Sequence, residues 1–123
     1  MFEQLLHKGA PQLTKNSDEL IKYDAFYAKD RSTRLEILMA REASHAPEYR
    51  WLLNITYNNK NWTDLVLTYS FMQVQIVGKN LQNMYIGIRK NNCAWIQEFD
   101  GRVFTQPEPE AAFIESIKIV VKG

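Results

Sequence analysis

The chain has 123 residues, of which 46% are apolar and 12% aromatic, and it carries 15 basic and 14 acidic residues. That length suits one domain, and the composition excludes disorder over most of the chain. The single cysteine cannot form an internal disulfide, and the first residues lack the basic and apolar regions of a signal peptide. No apolar run reaches the length of a membrane span, so we expect a cytoplasmic protein.

A short helical arm is predicted for residues 1–33. Asn16 or Ser17 is a suitable N-cap, and acidic residues follow in the first turn. The apolar residues of this segment fit a short helix: Leu20, Ile21, Tyr23, Ala25, Phe26 and Tyr27. The arm is expected to pack on the rest of the domain, residues 34–123, or on a neighbouring molecule.

Alternation of apolar and polar residues begins at Arg34. Leu35, Ile37 and Met39 share one face of a predicted first strand. A second strand is predicted from residue 49 to residue 57, with one face that we expect to be buried. That face consists of Tyr49, Trp51, Leu53, Ile55 and Tyr57.

A turn is predicted at Asn58–Asn61, because asparagine tolerates the left-handed backbone of tight turns. The alternation that follows places Leu65 and Tyr69 on one face, then changes phase between Ser70 and Met72. A shift of one residue indicates a β-bulge or a break into two strands.

The clearest helix is predicted over Leu81–Ile88, where apolar residues recur at helical spacing. Asn80 is a suitable N-cap, and the pair Asn91 and Asn92 suits a left-handed exit. Gly87 costs about 1 kcal/mol relative to alanine inside a helix, which suggests a close approach of another backbone.

Two strands are predicted after the helix. The first has Cys93, Trp95 and Phe99 on its inner face, so Cys93 is expected to be a core residue rather than a reactive thiol. The second, Ile114 to Val121, has Lys118 as its only outward charge among apolar neighbours, and we expect it to be an edge strand that can pair with another chain.

These elements predict a single α+β domain. Its expected sheet has five to six strands and is mostly antiparallel, with one amphipathic helix packed on one face. The connection between Val74 and Phe99 is long enough for a crossover, so a parallel pair and a mixed sheet are also compatible with the sequence.

The sequence provides no catalytic residue, metal site or cofactor motif. Its two histidines and one cysteine are far apart and match no metal-ligand spacing. Glu98 and Asp100 project to the same face at the end of a strand, where they are candidates to meet water or a partner. Lys79, just before the helix, is a candidate anion-binding residue.

Nucleic-acid binding is an alternative that uses the basic segment Arg50 to Lys90. This segment includes Lys79, Arg89, Lys90 and the aromatic Trp62, and Asp64 is its only acid. Sheet proteins can stack bases on exposed aromatic rings, but neither an RNP-like motif nor a GXXG loop occurs here.

The biological function is therefore unknown from the sequence, which favours a non-enzymatic protein over an enzyme. The leading hypothesis is a small intracellular binding or assembly protein that acts through a protein partner or as a homodimer. A third hypothesis is a small-molecule-binding or enzymatic domain with an apolar pocket lined by Trp51, Tyr69 and Trp95.

Overall fold

The computed structural model describes residues 19–122, which contain two β-sheets and one α-helix. In chain order the elements are β1 (Phe26–Ala28), β2 (Glu36–Leu38), a 3-10 helix (Tyr49–Trp51), β3 (Leu52–Tyr57), β4 (Asp64–Tyr69), β5 (Met72–Lys79), α1 (Gln82–Arg89), β6 (Cys93–Gln97) and β7 (Phe113–Val121). The α+β class is confirmed, and the described residues form a single compact domain.

The strands belong to two separate sheets. One is antiparallel with the order β3-β4-β5-β7, and the other has the order β1-β6-β2. The prediction of one sheet of five to six strands is therefore wrong. The parallel pair also differs from the expected one, because β2 runs parallel to β6, whereas β5 and β6 lie in different sheets.

The predicted N-terminal helical arm is not observed in its described part, residues 19–33. Ile21 forms an isolated bridge with Phe104, and β1 pairs antiparallel with β6. Tyr23 and Ala25 are buried on either side of the exposed Asp24, which is the period of a strand. Pairing with β6 thus overrides the weak local helix signal. The rest of the predicted arm, residues 1–18, lies outside the described residues.

The second predicted strand begins later than expected, and its predicted inner face is largely exposed. Residues 49–51 form a 3-10 helix, and the pairing of β3 with β4 shifts register between Leu52 and Asn54. As a result Trp51 and Leu53 are 45% and 65% exposed, and Tyr57 is also exposed. Tyr49 alone of the five predicted residues is buried.

In the centre of the chain, the structure agrees closely with the prediction from the sequence. The phase change after Tyr69 is a tight turn between β4 and β5, so the break into two strands is the correct alternative. Helix α1 buries Met84 and Ile88, and Asn91 leaves it with a φ of 60°. Asn80 does not cap this helix, however. Its amide instead donates to the carbonyl groups of Pro109 and Ala111.

The core lies between the four-stranded sheet and the layer formed by α1 and the three-stranded sheet. It includes Leu67, Val74, Ile88 and Ile96, all with no exposed surface. The approach of another backbone predicted at Gly87 is observed as ordinary contact, since a Cβ added there would lie 3.5 Å from the Cβ of Cys93 and 3.8 Å from its backbone nitrogen.

Candidate functional site

The candidate functional surface of the described residues is the edge of the four-stranded sheet that β7 forms. β7 pairs with β5 on one side, and the alternation of an antiparallel ladder decides which backbone groups face away from β5. The Lys122 amide donates to the Phe71 carbonyl, so the backbone of Lys122 faces β5. The backbones of Ile117, Ile119 and Val121 consequently face away from it.

Three contacts cover the first half of this edge. The Ile117 amide donates to Oε2 of Glu98 at 3.0 Å, which agrees with the outward orientation just derived. The register of the ladder shifts between Val77 and Gly78, so Ile114 also faces outward. Its amide donates to the Tyr23 hydroxyl at 3.1 Å, and its carbonyl accepts from the Phe99 amide at 2.9 Å.

Glu98 and Tyr23 are well placed for this covering role. The second carboxylate oxygen of Glu98 accepts from the Ala40 amide at 2.8 Å, so the side chain joins the exit of β2 to β7. The Tyr23 hydroxyl donates to the Gln97 carbonyl at 2.6 Å, and burial raises its pKa. Its ring contacts three phenylalanine rings edge-on: Phe99, Phe104 and Phe113.

The second half of the edge lacks such contacts. Within residues 19–122, the amide and carbonyl groups of Ile119 and Val121 have no hydrogen-bond partner, and neither has the Ile117 carbonyl. Apolar side chains surround these groups. Val121 is 72% exposed, and Val120 and the adjoining Phe71 are also exposed. We call residues 117–121 the open half of β7.

Asp100 and Glu98 have different hydrogen-bond partners, so the two candidate carboxylates do not share one. Asp100 accepts from the Arg102 side chain at 2.8 Å and from the Arg102 backbone amide at 2.9 Å. These bonds lower the pKa of Asp100 to about 2. Its backbone carbonyl also accepts from Val103 and Phe104, so the residue organises the turn after β6.

Trp62 and Arg89 belong to a second surface, an aromatic cluster between the β3–β4 turn and α1. The rings of Tyr57 and Trp62 stack at 5.2 Å, and Tyr85 lies 4.4 Å from Tyr57. The Arg89 guanidinium lies 5.3 Å from the centre of the Tyr85 ring. The hydrogen bond with Tyr57, together with Arg89, lowers the pKa of Tyr85.

The other basic candidates are not gathered into one site. The Lys79 ammonium group, at the end of β5, lies 5.5 Å from the centre of the Phe113 ring at the start of β7. Lys90 is exposed at the C-terminus of α1, beside Arg89 in sequence. Arg50 pairs with Glu48 at 3.0 Å, which neutralises part of the basic segment.

The interior offers no sign of a reactive thiol or a shared apolar pocket. Cys93 is fully buried, as predicted, and burial raises its pKa to about 12. Tyr69 and Trp95 are buried, whereas Trp51 is half exposed, so these three side chains lie in different environments. A surface groove of about 330 Å³ does lie beside the aromatic cluster, lined by Asn54, Tyr85 and Arg89 among others.

Residues 19–122 contain no group of three or more histidine, cysteine, aspartate or glutamate side chains that could hold a metal ion. Within the same range, α1 is too short to cross a membrane, and no other helix there could do so.

Comparison with protein-family models, with curated proteins and with solved structures gives no match for this chain. Inferences about function therefore depend on the molecule's own surfaces. The open half of β7 was partly visible in the sequence, because alternating apolar residues predicted an edge strand there. The covering contacts of Tyr23 and Glu98 were not, because they join residues that are far apart in the chain.

Proposed function

We propose that this protein is a small non-enzymatic binding or assembly protein that accepts a β-strand from a protein partner at the open half of β7. One observation supports this function above all. Within residues 19–122, the outward amide and carbonyl groups of Ile119 and Val121 have no hydrogen-bond partner, and exposed apolar side chains flank them. Such an edge is a template for strand addition, in which backbone hydrogen bonds provide affinity.

The contrast with the covered half supports the same function. A sheet edge normally invites unwanted pairing, and proteins protect it with side chains, charges or covering loops. Here Glu98, Tyr23 and Phe99 bond the outward backbone groups of β7 as far as the Ile117 amide. No residue of the range 19–122 bonds the outward groups beyond that amide. Strand addition is therefore confined to a short, defined segment.

Site-specific photo-crosslinking tests this proposal. A photoreactive amino acid replaces Val121 in one variant and Val77 in the control, since Val77 is an exposed valine of the same sheet, on β5. Both proteins are irradiated in pure form and in an extract of the native cells, and products are identified by mass spectrometry. We expect protein adducts from position 121 only. Equal labelling from both positions, or none from position 121, would contradict the proposal.

Single-stranded nucleic acid is a second candidate ligand, and the aromatic cluster supports it. Among residues 19–122, Arg89 has no carboxylate within ion-pair distance, and it lies beside the partly exposed rings of Tyr57 and Tyr85. Bases stack on such rings, and unpaired cations attract phosphates.

Binding of a labelled oligonucleotide at low salt checks this second candidate. Arg89→Gln is expected to weaken binding, whereas Arg50→Gln, which removes a cation already paired with Glu48, has a smaller effect. Absence of binding at low salt excludes the candidate, since affinity for phosphates is greatest there.

A further inference from the structure

We infer that the strand accepted by the open half of β7 is β7 of a second copy of this chain, antiparallel to the first, with the two Ile119 residues facing each other across a two-fold axis. This inference depends on the proposed function and deepens it by naming the partner and the register. It follows from three properties of the segment: its free backbone groups, the order of its charges and the exposure of its side chains.

Four of the five free backbone groups find a partner in this register, and the fifth, the Val121 carbonyl, faces the Ile117 amide that Glu98 occupies. Opposed residues of an antiparallel pair that face each other exchange both of their hydrogen bonds, so the two Ile119 residues satisfy each other. Two positions away, Val121 lies opposite Ile117 of the second copy. The Val121 amide then donates to the Ile117 carbonyl, which is free even though Glu98 already occupies the Ile117 amide.

The lysines exclude the neighbouring registers. An axis at residue 118 would place Lys118 opposite Lys118 of the second copy. An axis at residue 120 would place Lys118 opposite Lys122. Like charges directly opposite each other destabilise a strand pair, and these residues would form the close, non-hydrogen-bonded pairs of the ladder. With the axis at Ile119, Lys118 instead faces Val120 of the second copy, and no lysines are directly opposed.

The side chains also gain from this arrangement. Val121, which is 72% exposed, would lie beside Ile117 of the second copy, and the half-buried Ile119 would lie beside its own counterpart. Burial of these apolar surfaces favours association. The pairing joins the two four-stranded sheets edge to edge, and the Glu98 carboxylate on Ile117 marks where the added strand must end.

The interface is small, because only the backbone of residues 117–121 takes part in the pairing. Stable dimers bury about 1,200–2,000 Å² in total, so we expect a reversible dimer rather than a permanent one. Its formation should depend on concentration, with a dissociation constant on the order of 10–100 µM.

A cysteine-mixing experiment tests the register. Lys118→Cys and Val120→Cys are prepared as separate variants, and both sites are exposed on the outer face of the sheet. The native Cys93 is fully buried and does not interfere. In the inferred register residue 118 lies opposite residue 120 of the second copy, at a Cα separation of about 4.5 Å that a disulfide can bridge. Oxidation should therefore crosslink the equimolar mixture but neither variant alone.

The other outcomes are equally informative. Crosslinking of Lys118→Cys alone, or of Val120→Cys alone, would place the axis at that residue and overturn the register. Failure of the mixture to crosslink at about 1 mM, roughly ten times the upper end of the expected dissociation constant, would also overturn it.

Sedimentation provides a test of the dimer that does not depend on thiol chemistry. Val121→Pro removes an outward amide that makes no bond to any other residue of the range 19–122, so the fold should persist while the dimer is lost. Val77→Lys, a change at an exposed valine elsewhere on the sheet, should leave the dimer intact. A wild-type protein that stays monomeric overturns the inference. If position 121 nevertheless photo-crosslinks to another protein, the proposed function survives and only the second copy is excluded.

Discussion

The two halves of β7 belong to the same edge strand but have opposite surroundings. Ile114 and Ile117 have their outward amides bonded to Tyr23 and Glu98, whereas the outward amides of Ile119 and Val121 have no partner within residues 19–122. Both halves mix apolar residues with at least one charged residue, so composition alone does not distinguish them. The difference arises from residues far away in sequence that happen to reach only one half.

This contrast shows that tertiary contacts can cover part of a sheet edge without a charged residue at every position. A fully exposed edge of nine residues would invite aggregation. A fully covered edge would bind nothing. Among residues 19–122, side chains cover one half of the edge and make no hydrogen bond to the other half, and each half can be altered by substitution.

The largest expected loss of stability concerns the close backbone contact between β5 and the covered half of β7. Gly78 lies at the register shift opposite Ile114, where an added Cβ would lie 1.9 Å from the Phe113 carbonyl oxygen. Gly78→Ala should therefore lower the free energy of unfolding by about 3 kcal/mol or more, measured by chemical denaturation. In the matched control, Gly87→Ala has room and should stabilise α1 by up to about 1 kcal/mol. Equal effects of the two changes would contradict this explanation.

The next effect compares two buried tyrosines. Tyr23→Phe removes the hydroxyl that bonds both Gln97 and Ile114, and should cost about 1–3 kcal/mol of stability. Tyr69→Phe removes a buried hydroxyl that has no hydrogen-bond partner among residues 19–122, so it should be neutral or stabilising. Thermal unfolding of both variants checks the ranking. A larger loss for Tyr69→Phe than for Tyr23→Phe would show that the covering role of Tyr23 is wrong.

A smaller effect is expected at Glu98. Both carboxylate oxygens accept from backbone amides, of Ala40 and Ile117, and a glutamine amide has only one oxygen. Glu98→Gln should thus cost about 1–2 kcal/mol and accelerate hydrogen exchange of the Ala40 or Ile117 amide, as measured by NMR. The control is Glu115→Gln, a change at an exposed residue of β7, which should leave both amides protected. Unchanged exchange in Glu98→Gln would remove Glu98 from the covering contacts.

The smallest effect concerns pH and the turn after β6, next to the covered half. Arg102 lowers the pKa of Asp100 to about 2, whereas an unfolded aspartate titrates near 3.9. Because the folded pKa is the lower one, the stabilisation is complete above about pH 4 and is lost as the pH falls towards 2. Arg102→Gln should raise the pKa of Asp100 in an NMR titration. An unchanged pKa would exclude the ion pair as the cause.

The sequence predicted what depends on local periodicity. Helix α1, the break between β4 and β5 and the buried Cys93 follow from spacing alone. The prediction of the inner face of β3 was wrong, because a 3-10 helix and a register shift change which side chains point to the core. Nothing in the sequence around Leu53 indicates either feature. The second sheet could not be predicted, since β1, β2 and β6 pair across long stretches of chain.

The candidate site was likewise predicted only in part from the sequence. The edge position of β7 was predicted from its apolar alternation, and it is an edge strand of the four-stranded sheet. The limit between its covered and open halves depends on where the Glu98 carboxylate reaches, which is a tertiary contact. Pattern alone therefore located the surface but not its extent.

Hydrogen exchange of the β7 amides, recorded by NMR at several protein concentrations, tests the central claim most directly. Ile114 and Ile117 should exchange slowly at every concentration, because Tyr23 and Glu98 bond them within one molecule. Ile119 and Val121 should exchange rapidly in dilute solution and become protected as the concentration rises. Protection of Ile119 in dilute solution, or its absence at every concentration, would contradict an open half that pairs with a second copy.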